Sequence, residues 1–474
     1  MAMFVLILAM ACSSGDDSGD ASDGGASDTG ASNGGGVEHL EEGPGVDADG
    51  QHFGPEVAMR CGSHLAAAGD VDGDGTAEVW VGCEGTVPDP ESLPSYEAPA
   101  SIELLSGPGT GTGGLDPPSA RLLLPETSLA MASADLDGDG ILDLLAGSPY
   151  ADTTVPEAGL ALMVQGPVSG EHGASSADLR IEGQRPSQEL GETVGIGTDL
   201  SGDGVAELLV SHVQASGDRS VAVIEGTTRY TTWPDDWPQL LPSEAGGWRP
   251  SASSDRADLD GDGLDDLVLE GTGALSILPA DTRITDDVAI DEVALAVRGP
   301  DRDNGLRALP ADLDGDGHVD LVVTCPLDSS GEDLGEAGRV WALAGPFTRD
   351  RAVLDDAFFF VEGDAAYANL GVALDAGDLD HDGRDDLVLA TAASLENGRG
   401  PGRVLLFSAP LSGKRILEDA NQTWTGHTSE GFGASVLVTD LDGDHQDDLV
   451  VGAPASNERV HAGGVVYVLL GSSL

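Results

Sequence analysis

From about residue 50 to its end, the chain alternates short apolar runs with polar turns. The runs Val79–Val81, Leu144–Ala146, Leu208–Val210, Leu267–Leu269, Leu321–Val323, Leu387–Leu389 and Leu449–Val451 are rich in Leu and Val, and most are soon followed by Gly or Pro. That length and composition predict buried strands. A second run follows in most cases, as in Gly338–Leu343, Gly402–Phe407 and Gly464–Leu469, and a further strand precedes, as in Gly433–Thr439. One outer strand added to these makes about four strands per unit. No segment carries a convincing helical apolar period, so an all-β chain is expected.

The polar segment before each first run is also a repeat. It is nine residues long, with acids at positions 1, 3, 5 and 9 and Gly at position 6. It reads DVDGDGTAE from Asp70, DLDGDGILD from Asp135, DLSGDGVAE from Asp199, DLDGDGLDD from Asp258, DLDGDGHVD from Asp312, DLDHDGRDD from Asp378 and DLDGDHQDD from Asp440. The first aspartates are separated by 65, 64, 59, 54, 66 and 62 residues. Self-similarity at a near-constant period marks a repeat architecture. Seven units of four antiparallel strands fit a seven-bladed β-propeller, which also removes the exposed sheet edges that an open array would leave. An open solenoid is the structural alternative. The last unit ends after its third strand, near Leu470, so the segment from Phe53 to Cys61 is expected to supply the missing outer strand and close the ring.

Four carboxylates within nine residues repel one another, increasingly so as water is excluded. A cation in each loop resolves this. Position 1 is Asp70, Asp135, Asp199, Asp258, Asp312, Asp378 and Asp440. Position 3 is Asp72, Asp137, Ser201, Asp260, Asp314, Asp380 and Asp442. Position 5 is Asp74, Asp139, Asp203, Asp262, Asp316, Asp382 and Asp444. Position 9 is Glu78, Asp143, Glu207, Asp266, Asp320, Asp386 and Asp448. With the backbone carbonyl of position 7 they offer the hard oxygens Ca²⁺ requires, and Gly at position 6 permits the positive φ of a sharp turn. Up to seven structural calcium ions are expected. Mg²⁺ suits the loops less, because it demands strict octahedral geometry and keeps its waters. An EF-hand needs a bidentate Glu at position 12 and flanking helices. Position 12 is instead Val81, Ala146, Val210, Leu269, Val323, Leu389 or Val451, all apolar. The loops are therefore expected in β-hairpins. Ser201 removes a charge from the third loop and His445 replaces the glycine of the seventh, so these two sites are expected to bind more weakly. The bland reading of the aspartates is a set of Asx turns between strands.

Phe432-Gly433, the loop from Asp440, and Gly452-Ala453-Pro454 together resemble the FG-GAP repeat, with weaker versions at Leu370-Gly371 and Gly147-Ser148-Pro149. The resemblance extends over roughly residues 50–474. It implies the seven-bladed propeller found at the N-terminus of integrin α chains, calcium in its hairpin loops, and a ligand bound by loops on the opposite face. Integrin α chains usually carry fewer such loops than seven.

Charge narrows the partners. The net charge is −63, with 21 Lys plus Arg against 84 Asp plus Glu. Nucleic acid is excluded as a partner, since phosphate affinity comes from basic side chains, and an anionic membrane face is disfavoured for the same reason. A generally acidic, halophile-like surface is the bland source of the charge. Residues 1–11 are apolar, too short to span a bilayer, and end in Ala9 and Ala11 before Cys12, which resembles a bacterial lipoprotein signal. Removal of residues 1–11 would leave Cys12 lipidated, residues 12–45 as a Ser/Gly/Asp-rich tether and residues 46–474 as the propeller. A secreted, lipid-anchored protein at the outer membrane or cell surface follows as an expectation, with the lipid as its membrane contact. An ordinary secreted protein or a truncated membrane anchor is the alternative. Cys61 and Cys83 flank the first hairpin, and whether they bridge its open end is left undecided by the sequence; Cys325 is left over and expected to be buried.

The leading functional reading is a non-catalytic, calcium-stabilised surface propeller serving adhesion or recognition of a protein or glycan. Trp233, Trp237 and Trp248 crowd one stretch with Tyr230 and three prolines, and exposed rings there would stack on sugars; filling an outer strand is the bland reading. An enzyme is the third reading. The one GxSxG string, Gly30–Gly34, lies in the low-complexity tether rather than between a strand and a helix, and no HExxH or phosphate-binding loop is present.

Overall fold

A computed structural model describes residues 48–474 apart from 55–58, 86–98, 108–110, 116–118, 202, 227–236, 242–248, 251–256, 272, 301–304, 330–334, 393–400 and 458–462. The apolar N-terminus, Cys12 and the tether lie outside the described residues, as do Trp233 and Trp248.

Seven sheets follow one another along the chain. In each, an inner strand leads into an acidic hairpin, and the strand after the hairpin runs through the middle of the blade. These central strands are Glu78–Cys83, Asp143–Ser148, Glu207–Val213, Leu267–Glu270, Asp320–Cys325, Asp386–Thr391 and Asp448–Ala453. They coincide with the apolar runs of the sequence. The seven position-12 residues are buried in them at 0% exposure, which places the loops in β-hairpins and removes the EF-hand reading. Helical geometry among the described residues is confined to one four-residue turn, Val353–Asp356, and three short 3-10 turns.

The ring closes through the N-terminal strand. Gly50–Phe53 pairs antiparallel with Val465–Leu469, with Gly50 opposite Val468 and Phe53 opposite Val465, and so forms the outer strand of the seventh blade. The expected segment, Phe53 to Cys61, is displaced by a few residues. Phe53 packs at 8% exposure among Phe432, Val451 and Tyr467. Gly54 follows where no side chain fits, because a Cβ there would lie 2.0 Å from the carbonyl oxygen of Gly463. Cys61 already begins the inner strand of the first blade. Ser435 Oγ donates to the Gly62 carbonyl at 2.8 Å, joining the seventh blade to the first on the inner side.

Among the described residues, five blades carry a fifth strand that the sequence did not announce. It comes from the segment joining the third and outer strands of the following blade, and it pairs parallel with the outer edge of the blade before. Gly111–Gly114 covers Gly50–Phe53, and Gly170–Gly173 covers Ala120–Leu123. Val288–Ala289, Arg351–Ala352 and Gly413–Arg415 do the same for the third, fourth and fifth blades. Outer edges that would template aggregation are thereby capped by their neighbours.

The core lies between blades rather than in one centre. Leu379, Val388 and Val404 of the sixth blade pack against Val451, Val465 and Tyr467 of the seventh. Each fully buried Leu or Val contributes about 1.5–3 kcal/mol. Glycines set the approach: a Cβ at Gly452 would meet the Gly62 carbonyl oxygen of the next blade at 2.0 Å, and one at Gly147 would meet that of Gly191 at 2.1 Å. Cys61 and Cys83 form a disulfide across the first hairpin, directly opposite in register, and Cys325 is free and buried.

Candidate metal centres

The seven acidic loops share one hydrogen-bond scheme, written entirely by their own side chains. The position-1 carboxylate accepts the N–H of position 6 in every loop, at 2.8–3.0 Å, from Gly75, Gly140, Gly204, Gly263, Gly317, Gly383 and His445. The position-5 carboxylate accepts the N–H of position 7, as Asp74 does from Thr76 and Asp444 from Gln446, both at 2.9 Å. Position 3 accepts from position 5 wherever it is Asp, as Asp72 does from Asp74 at 3.1 Å. The third loop lacks this bond because Ser201 stands there. These bonds fold each loop so that carboxylates converge: ligand oxygens of Asp70, Asp72 and Glu78 lie within 4.8 Å of one another, as do those of Asp135, Asp137 and Asp139, and of Asp312, Asp314 and Asp316. Asp199, Asp203 and Glu207, and Asp258, Asp260 and Asp262, form like groups.

Among the described residues, positions 4 and 6 of the loops take positive φ, where the sequence marked one. Position 6 does so with Gly75 at 93° and His445 at 71°, and position 4 with Gly73 at 79° and His381 at 59°. The paired glycines of DGDG were the available signal for the second. Histidine tolerates this region better than β-branched or bulky residues do, at some steric cost.

Position 9 behaves differently from the rest. It opens the central strand and is buried, with 0–2% exposure in all seven loops. One oxygen accepts the N–H of position 2, as Glu78 does from Val71 at 2.8 Å and Asp448 from Leu441 at 2.8 Å. The other accepts from the turn that leaves the third strand of the same blade: Gly166 to Asp143 at 2.8 Å, Ala280 to Asp266 at 3.0 Å, Gly345 to Asp320 at 3.1 Å and Gly471 to Asp448 at 2.7 Å. The residue thus ties its hairpin to the far side of the blade. Burial, reinforced by repulsion from the loop aspartates, holds Glu78, Asp143 and Glu207 above the ordinary carboxylate range. The same causes push Asp266, Asp386 and Asp448 up to about 6 and Asp320 to about 7.

The sixth loop tests the fit to a metal. There the position-2 N–H, from Leu379, bonds the Gly377 carbonyl instead. Asp386 Oδ2 is left buried without a hydrogen-bond partner, beside Asp378, Asp380 and Asp382. A buried carboxylate oxygen without a donor is costly unless a cation meets it. The donor set is all hard oxygen, which suits Ca²⁺. In the same loop Arg384 Nη1 lies 2.7 Å from Asp382 Oδ2, so a guanidinium already neutralises part of the charge.

The proposed sugar platform is corrected at the one tryptophan that can be placed. Trp237 is 9% exposed and packs with Met163, Ile181 and Ile224, leaving little ring face to stack on a sugar. Among the described residues no helix is long and apolar enough to cross a membrane.

Four segments, residues 129–161, 304–343, 370–407 and 432–469, match the FG-GAP repeat. They fall in the second, fifth, sixth and seventh blades, so the chain carries FG-GAP repeats within its seven-bladed propeller. It is similar to human integrin alpha-IIb, 32% identical over 152 residues, covering 31% of this chain and 14% of that one. It is similar to integrin alpha-4 of Xenopus laevis, 30% identical over 167 residues, covering 33% and 15%. A third likeness is to the phosphatidylinositol-glycan-specific phospholipase D of Bos taurus, 37% identical over 114 residues, covering 22% and 14%. The matches thus span about a seventh of each relative's own length.

Proposed function

We propose that this chain is a non-catalytic, calcium-stabilised recognition propeller, displayed at a cell surface through a lipid on Cys12 and binding a protein ligand on the face opposite its acidic loops. The observation that carries the calcium reading is the repeated convergence of loop carboxylates, with the orphaned, buried Asp386 Oδ2 beside the sixth loop as its clearest sign of a missing cation. The likeness to integrin α chains supports recognition as the role. Tyr367, in the connection from the outer strand of the fifth blade to the inner strand of the sixth, is 44% exposed with a φ of 61°, and tyrosine is enriched where proteins bind proteins. The likeness to a phospholipase spans too little of that enzyme to bring its activity with it.

Calcium would be bound by the side chains of positions 1, 3, 5 and 9 and would supply the positive charge that these loops lack. One site at about 100 times its dissociation constant adds roughly 2.7 kcal/mol. Thermal melting in millimolar calcium and in excess chelator tests this: a midpoint raised by calcium is expected, and an unchanged one refutes it. Capture of a ligand from the neighbouring cell surface by the soluble propeller, and loss of capture on chelation, tests the recognition role.

A further inference from the structure

Neighbouring acidic loops touch, but not equally around the ring. The difference lies at position 8, the residue just before the buried position-9 acid. In the sixth and seventh loops it is Asp385 and Asp447. Asp447 Oδ2 accepts the N–H of Asp378, position 1 of the sixth loop, at 2.8 Å, and the Asp447 N–H donates back to the Asp378 carbonyl at 3.2 Å. Gln446 Nε2 adds a bond to the Leu379 carbonyl at 2.6 Å. Asp385 Oδ2 repeats the first contact, accepting the N–H of Asp312, position 1 of the fifth loop, at 2.9 Å. Elsewhere position 8 is Ala77, Leu142, Ala206 or Val319, whose side chains carry no acceptor, or Asp265, which is exposed; Ala77 meets the seventh loop through its backbone, its N–H donating to the Leu441 carbonyl at 3.0 Å.

We propose that the fifth, sixth and seventh loops bind calcium as one cooperative unit, coupled through the side chains of Asp385 and Asp447, whereas the first, second, third and fourth, which have no such side-chain link, bind independently. The inference rests on the calcium reading above and goes beyond it. The reason is geometric. Asp447-Asp448 is one dipeptide with two tasks: Asp448 faces the seventh loop, and Asp447 pins the first residue of the sixth. Asp378 in turn organises the sixth loop by accepting from Asp382 and Gly383, both at 2.8 Å. An ion that orders the seventh loop therefore fixes the start of the sixth, and Asp385-Asp386 passes the constraint to the fifth. The linkage is reciprocal, so filling the fifth loop aids the seventh by the same factor.

The test uses the full chain stripped of metal and titrated with calcium alone, by calorimetry for steepness and equilibrium dialysis for stoichiometry. A phase with a Hill coefficient above one, followed or preceded by independent sites, is expected. Asp447→Ala should detach the seventh loop, lower the Hill coefficient and weaken that phase about tenfold, within the usual range of coupling between sites. Asp447→Asn keeps an oxygen that can accept from Asp378 and should restore it. Asp385→Ala should detach the fifth loop alone, and supports the same conclusion should Asp447→Ala not fold. Asp265→Ala should change nothing. Bound calcium with a Hill coefficient of one in the unaltered protein overturns the coupling and leaves the calcium reading standing; so does steepness undiminished in either alanine variant or surviving when both substitutions are combined. No bound calcium by dialysis overturns both.

Discussion

Phe53→Ala probes the closure of the ring. Phe53 belongs to a four-residue strand near the start of the described chain, yet it is 8% exposed and sits against the last blade of the propeller. Truncating a buried phenylalanine costs about 3–5 kcal/mol, and the lower end applies here because the strand lies at the rim and can partly relax. Gln51 on the same strand, opposite Tyr467 and only half-buried, is the control; Gln51→Ala should stay within about 0.5 kcal/mol. Urea unfolding in saturating calcium, followed by tryptophan fluorescence, gives both midpoints. A fall of about 3 kcal/mol for Phe53→Ala with little change for Gln51→Ala supports closure by packing. Equal and small shifts would show that Gly50–Phe53 is an appendage to a ring that holds without it, and the reasoning would fail.

Two further outcomes are expected. In metal-free protein, Asp266, Asp386 and Asp448 near 6 and Asp320 near 7 bind protons more tightly folded than unfolded, where they titrate near 4. Their contribution is full below the unfolded value and lost as pH rises through about 6 to 7, so the melting midpoint in chelator should be higher at pH 5 than at pH 8, and saturating calcium should flatten or reverse that trend; a chelated midpoint that climbs with pH would refute the assignment. Ser201→Asp restores a carboxylate to the third loop and should tighten its calcium binding about tenfold, or ~1.4 kcal/mol, read by titration calorimetry; an unaltered isotherm would show that position 3 is not a ligand.

The central strands and the hairpin loops were legible because both signals are local. Seven copies of an acid pattern fix where each hairpin turns, and an apolar run at a constant offset fixes the strand behind it. The closing strand was legible in principle but misplaced, because the decisive contact, Phe53 against Phe432 and Tyr467, joins residues far apart in the chain. The parallel fifth strands left no mark: Gly170–Gly173 is polar and exposed at its first two positions, and its pairing is made through the backbone to another blade. The second task of position 9, holding the turn beyond the third strand, was likewise invisible, since the donors are backbone N–H groups of varied residues. Trp237 could be read either as filling an outer strand or as a stacking platform, because aromatic crowding alone does not tell a core from a surface; its burial fits the first.

Gly50–Phe53 also decides how the disc answers a pull. Among the described residues this is the first strand, so a force applied at Gly50 enters the propeller through it. It runs alongside Val465–Leu469 on one side and Gly111–Gly114 on the other, so tension directed along it shears both ladders at once instead of peeling them bond by bond. A short clasp held on two flanks, belonging to different blades, spreads that strain over the seventh and the first.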